Sequence, residues 1–198
     1  MAIQYSVADR TNKLTQLATD IGTNAQIKIY SGSPPATVAT AFTGTLLATC
    51  TGNATQFGTA SAGVLTASAI TNGTAAATGT AGYFRIATSG GTDHVQGTVY
   101  PSSTLTTSAA TAANSNVLTF SAVSGVSVGQ AVSGTGIPAN ATVIATSGTT
   151  VTLSVASTAG VSISTVITFS GDMVINNTSI ASGQTVSISS LTITGYGA

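Results

Sequence analysis

From Pro101 to Gly171 the chain carries no charged side chain. Over all 198 residues it has only four Lys and Arg against four Asp, with no Glu and a formal net charge of zero. Soluble domains draw about a quarter of their residues from these types; here the fraction is 4%. The surface must therefore be built from Thr, Ser, Asn and Gly. A protein that stays free in solution normally keeps its net charge away from zero to resist association. A chain like this one suits permanent docking in an assembly, or endurance outside a cell. Four cations cannot neutralise many phosphates, which argues against nucleic acid as a partner.

Low charge is shared with disordered segments, but those are poor in apolar residues. Here 42% of residues are hydrophobic, and the length allows a real core in one or two domains. Cys50 is the single cysteine. The fold cannot rest on an intrachain disulfide, and "TLLATC" reads as a buried apolar strand. The start, "MAIQYSVADR", lacks the apolar core of a signal peptide. No apolar run approaches the ~18 residues of a membrane helix. Five Tyr and five Phe cannot supply the two aromatic girdles of an outer-membrane barrel. The expectation is a soluble product made in the cytoplasm, with no membrane partner.

Residues 6–21, "SVADRTNKLTQLATDI", read as the one helix. Val7, Leu14, Leu17, Ala18 and Ile21 share a face at helical spacing. Ser6 is placed to cap the start, Asp9 supports the first turn, and Gly22 supplies the stop. Asp9, Arg10, Lys13 and Asp20 put half of the chain's charges here. The apolar stripe is narrow and must pack on the β-core or on another subunit. Val7, Arg10, Lys13, Leu14, Leu17 and Ile21 are therefore the candidate docking residues.

After Gly22 the pattern is strand and turn. "AQIKIYS" alternates with Ile27 and Ile29 inward, "SGSPPAT" is a rigid loop, and "TLLATC", "GVLTASAI" and "GYFRIAT" follow. Asn72-Gly73 has the chemistry of a tight turn. In "GQTVSISSLTITG" the apolar phase changes after Ile188, and a bulge near Ser189–Ser190 would reconcile the two phases. The only histidine stands in "YFRIATSGGTDHVQGTV", residues 83–99. A loop over Ser89–Thr92 pairs Ile86 with Val95 and lays the Phe84 ring over Gly97, a known filling for a cross-strand glycine. His94, Arg85 and Gln96 then project outward together. Asp93 points to the opposite face from His94 and cannot orient its ring. The stretch reads as a surface hairpin.

Residues 101–170 change character. A Ser/Thr/Ala-rich lead-in, "SSTLTTSAATAANS", resembles a flexible segment. About five short strands follow: "NVLTF", "QAVSG", "ATVIAT", "TTVTLSV" and "TVITF". Pairing of "VLTF" with "VITF" would bring the ends together, as in a module inserted into a host domain. The division expected is 1–100 plus 171–198 as a core domain and 101–170 as a nested small β-domain; the alternative is one long structured loop. The fold class expected is mainly β, with an antiparallel sandwich or jelly-roll-like core and one N-terminal helix.

Catalytic motifs are weak. "GVSVG" at 125–129 matches Gly-x-Ser-x-Gly, but that elbow needs a helix behind it, and strand follows here. One His, one Cys and four scattered Asp cannot compose a convincing metal centre. A glycosidase pair would need two of Asp9, Asp20, Asp93 and Asp172 to converge. "SGTGIPAN" precedes strand rather than helix, so it is no phosphate loop. The Asn-x-Ser/Thr matches at Asn53, Asn72, Asn140, Asn176 and Asn177 follow from composition. No enzyme activity, cofactor or metal is expected.

The stretches "MAIQYSVADRTNKLTQLATDIGTNAQIKIYSGSPP", "TGTLLA", "TGTAGYFRI", "HVQGTV" and "INNTSIASGQTVSISSLTIT" resemble a family of small virion-associated proteins encoded by tailed bacteriophages and prophages. Typical members run from the "HVQGTV" strand almost directly into "NNTSI". This chain departs by its 101–170 segment. That segment, "VGQAVSGTGIPANATVIATSGTTVTLS", is similar to β-modules grafted onto phage structural and bacterial surface proteins. The resemblance implies a virion location and a structural role. The expected role is a capsid decoration (cement) protein contacting the major capsid protein or other virion proteins, and copies of itself. The rival roles are a tail, collar or fibre protein whose nested module contacts a receptor or glycan, and a cell-wall hydrolase.

Overall fold

The computed structural model describes residues 5–100, 103–139 and 141–194. Residues 1–4, Pro101, the first residue of the 102–115 lead-in and the Asn140 match lie outside the described residues. The chain is mainly β, with one N-terminal helix and several small antiparallel sheets. It divides into two compact units, Met1–Val99 with Asp172–Ala198, and Tyr100–Gly171.

In chain order the first unit begins with α1 (Val7–Ile21), β1 (Gln26–Ser31), β2 (Leu46–Gly52), β3 (Val64–Thr66) and β4 (Ile70–Thr71). It continues with β5 (Gly73–Thr74), β6 (Gly79–Ala87) and β7 (Asp93–Thr98). The second unit holds β8 (Ser103–Thr106), β9 (Val117–Thr119), β10 (Ala131–Ser133), β11 (Val143–Ser147), β12 (Thr150–Leu153) and β13 (Val166–Ser170). The chain then returns to the first unit as β14 (Met173–Ile175), β15 (Ser179–Ile180), β16 (Thr185–Val186) and β17 (Ile188–Thr194).

The main sheet runs β15-β6-β1-β2-β4, and β7 pairs with the far end of β6. Its inner face is the one that alternation selects. Ile27 and Ile29 of β1 and Phe84 and Ile86 of β6 are all at most 1% exposed, and they share one core with Met173, Val186 and Leu191 from the returning strands. The register pairs Ile86 with Val95 and Phe84 with Gly97. A Cβ at Gly97 would lie 2.7 Å from the Phe84 ring, so the ring occupies the space the glycine leaves. On β17 the partner of Val174 is Ser190 and that of Ile175 is Ile188, so Ser189 is the bulged residue that switches the apolar phase.

Asn72-Gly73 is not a hairpin turn. The two residues link β4, which pairs with β2, to β5, which pairs with β16. Gly73 answers a different need, since a Cβ there would lie 2.3 Å from the Thr49 carbonyl oxygen. The tight turn falls instead at Ala62-Gly63, with φ of 50° and 76° and reciprocal backbone bonds between Ser61 and Val64. Two successive left-handed residues are the mark of a type I′ hairpin.

The second unit holds two three-stranded sheets, β10-β13-β8 and β11-β12-β9, around Leu118, Phe120, Val151, Leu153, Ile167 and Phe169. Here the expected pairing of "VLTF" with "VITF" is not made. β9 pairs with β12, whereas β13 pairs with β8. Part of the lead-in expected to be flexible is thus strand: Leu105 pairs with Ile167 and packs on the core. Isolated bridges Thr107↔Phe120 and Ala131↔Thr142 join the two sheets.

The chain leaves and re-enters the first unit at neighbouring points, because Val99 and Met173 form a parallel bridge. Deleting 102–170 and joining Pro101 to Gly171 is expected to leave a remainder that melts cooperatively. Surface-adjacent ends tolerate such excision. A remainder with no cooperative thermal transition would contradict the two-unit reading.

Candidate docking site

Helix α1 is built as its sequence indicates. The Ser6 side chain accepts from the Asp9 N–H, and Gly22, at φ 71°, ends the helix with its N–H donating to the Ala18 carbonyl. The candidate docking residues fall into three groups. Leu14 and Ile21 are buried inside the first unit, where each contributes about 1.5–3 kcal/mol; they fix the helix in place and do not face outward. Leu17 is half-buried, packing against Leu65 and the main core. Val7 is 51% exposed, and Arg10 and Lys13 lie along the same side as Leu14 and Leu17, at i, i+3, i+4 and i+7.

The type I′ turn secures this arrangement. The Gly63 N–H donates to the Thr11 hydroxyl at 3.0 Å, and Arg10 lies against Gly63. As a result the Arg10 Nε is removed from solvent and has no hydrogen-bond partner. Lys13 sits over the Tyr5 ring, its Nζ 3.0 Å from the centroid, a favourable cation–π position. Beside the helix is an open groove of about 420 Å³, bounded by Tyr5, Arg10, Lys13, Leu14, Leu17, Val38, His94, Val95, Gln96, Ile193 and Thr194.

The hairpin face expected to project outward is covered. Arg85 is only 2% exposed, because the Gly32–Gly44 loop folds over it. Arg85 Nη2 donates to the Thr40 carbonyl at 2.7 Å and Gln96 Nε2 to the Pro35 carbonyl at 2.7 Å. The Tyr83 hydroxyl bonds the Thr43 carbonyl and accepts from the Thr43 N–H. Above this, Phe42, Tyr30 and Tyr83 form a stack with centroid spacings of 5.2 and 5.0 Å. Asp93 serves the buried guanidinium: one oxygen takes Arg85 Nη1 at 2.9 Å and the other takes Lys28 Nζ at 3.2 Å. Lys28 was not singled out by the sequence, and its partnership with Asp93, 65 residues away, has no local signal.

Asp93 is thus committed to two cations and not to His94. The register passes from Ile86↔Val95 to Ala87↔Asp93, which leaves His94 as the extra residue of a bulge on the groove wall. His94→Ala is expected to change the unfolding free energy by no more than the ~0.5 kcal/mol typical of a surface change. A loss of more than about 1 kcal/mol on urea unfolding would overturn this.

The other polar groups are dispersed. Asp9 takes the Ser6 hydroxyl and Asp20 takes Gln16. The Asp172 carboxyl, on an exposed residue, is raised above its ordinary range by partial desolvation, opposed in part by the Thr98 N–H. Behind "GVSVG" stands β10 and not a helix, and the Ser127 N–H donates to the Gln130 side chain. Among the described residues no group of three or more His, Cys, Asp or Glu could hold a metal ion, and no helix is long and apolar enough to cross a membrane. Comparison with protein families, with curated proteins and with solved structures finds no match to this chain.

Proposed function

We propose that the chain is a non-enzymatic structural protein of a tailed-phage virion, a decoration (cement) protein that stabilises the head by adhesive contacts between shell subunits. The observation that carries this reading is where the charge goes. Lys28 and Arg85 share the one carboxylate of Asp93 beneath a loop, a cluster of net charge +1, and the only other charged residue outside α1 is Asp172, which accepts the Thr98 N–H. Beyond α1 the described surface is therefore almost wholly hydroxyl and amide groups, with Asp172 its one exposed charged residue, studded with large apolar side chains. Phe42, Val128, Ile144, Ile163 and Val166 are each more than half exposed. Such a surface binds by apolar burial, at about 25 cal/mol per Å², and by neutral hydrogen bonds. Spread over two or more shell subunits, and over neighbouring copies of this chain, those contacts raise the cost of separating them without covalent links.

The architecture we infer is a sandwich or jelly-roll-like core for the first unit, with α1 at the docking side and the second unit carried as a module. The alternative, a tail, collar or fibre protein, is favoured by one feature: the second unit has its own core and its own exposed apolar residues. Quantitative mass spectrometry of purified particles separates the readings. A copy number comparable with that of the shell subunits is expected. A few copies per particle would favour the tail or fibre role, and absence from the particle would overturn both.

A further inference from the structure

We propose that the groove beside α1 receives an extended acidic segment of another protein. A carboxylate of that segment meets Arg10 and Lys13, and its aliphatic side chains lie on Leu17, Val95 and Ile193. This rests on the reading of the chain as an adhesive virion protein and names the chemistry of the partner that its helix meets.

The argument is one of charge complementarity. Of the chain's four cations, Lys28 and Arg85 are satisfied internally by Asp93. The other two, Arg10 and Lys13, stand side by side on the groove, and no carboxylate lines it. Neither has an ion-pair partner among the described residues, and the Arg10 Nε is enclosed without any hydrogen bond. An enclosed guanidinium N–H left unbonded is unfavourable, so the Arg10 charge gains from a carboxylate placed on the groove. The apolar floor supplies area, and a volume of about 420 Å³ falls within the ~300–1,000 Å³ that takes a ligand the bulk of a short peptide.

A second copy of this chain is a poor occupant, because its carboxylates are already engaged. Asp93 holds two cations, Asp9 and Asp20 have local partners on α1, and Asp172, though exposed, is a lone carboxylate that already accepts the Thr98 N–H. Nucleic acid is a poor one too, since two cations release few counterions. The occupant must bring its own acid from a different protein.

The test uses the whole protein and two synthetic peptides, one alternating Asp with Leu and one identical except for Asn at each Asp. Backbone amide resonances are followed during titration. The acidic peptide is expected to shift Leu14, Leu17, Val95 and Gln96 saturably and to bind at least about tenfold more tightly than the Asn peptide, as partly buried charge pairs do. In Arg10→Gln/Lys13→Gln that difference should vanish with the melting midpoint unchanged. Equal binding of both peptides, or shifts away from the groove, would overturn the proposal. Concentration-dependent self-association lost in the double variant would do so as well, by making a second copy the occupant. Acidic-peptide binding together with absence from purified particles would leave the groove standing and refute the virion reading instead.

Discussion

Asp93→Ala is expected to destabilise the first unit by about 3–5 kcal/mol, because removing one member of a buried ion cluster leaves its partners uncompensated. Arg85 is the severe case: its side chain is 3% exposed, and its Nε already lacks a partner. Lys28 and Asp93, at 17% and 18% side-chain exposure, retain some solvent, which places the effect toward the lower end of that range. The loss should spread to the Gly32–Gly44 loop, since Arg85 also holds Thr40. Urea unfolding of the variant measures it. Adding Arg85→Leu and Lys28→Met should recover most of the loss, as apolar replacement of buried ions commonly does. A loss under about 1 kcal/mol, the level of an exposed pair, would show that the cluster is solvated.

Phe169→Ala is expected to cost the second unit about 3–5 kcal/mol, through lost transfer energy and the cavity left behind. Phe169 is fully buried and meets Phe120 edge-on, with centroids 5.9 Å apart at 66°. Each core cluster draws its residues from one unit only. The variant should therefore melt in two steps, with amides around Val151 and Ile167 exposed before those around Ile29 and Phe84. A single transition shifted as a whole would mean that the two units unfold together.

Local chemistry was legible in the sequence where it acts over a few residues. Ser6, Asp9 and Gly22 bound the helix because caps are nearest-neighbour devices, and Phe84 over Gly97 follows from the hairpin's own register. The phase change after Ile188 marked the bulge at Ser189 for the same reason. What escaped depends on distant partners. Alternation puts Arg85 and Gln96 on one face but cannot say that a loop fifty residues earlier will cover it. Asn72-Gly73 has turn chemistry, yet its glycine is there for the Thr49 carbonyl, while the true type I′ turn carries Ala62 in a left-handed conformation that its residue type gives no reason to expect. Ser103–Thr106 is polar enough to pass for a linker, and only its pairing with β13 makes it a strand. On the docking helix the sequence identified the apolar stripe but not its division between anchoring residues, Leu14 and Ile21, and the residues left on the groove.

The central claim, adhesion through a neutral surface, is tested most directly by sedimenting particles across a sodium chloride series and counting bound copies. Up to about 1 M salt the screening length falls to about 3 Å, enough to remove exposed ion pairs while leaving apolar burial intact. Pairs enclosed at the α1 groove are screened much less. The account predicts that the protein stays on the particle throughout the series and leaves on heating or in guanidinium, which weakens apolar burial. Release by salt alone, with the protein still folded, would mean that exposed charges on the helix dominate docking, and the adhesive mechanism would be wrong.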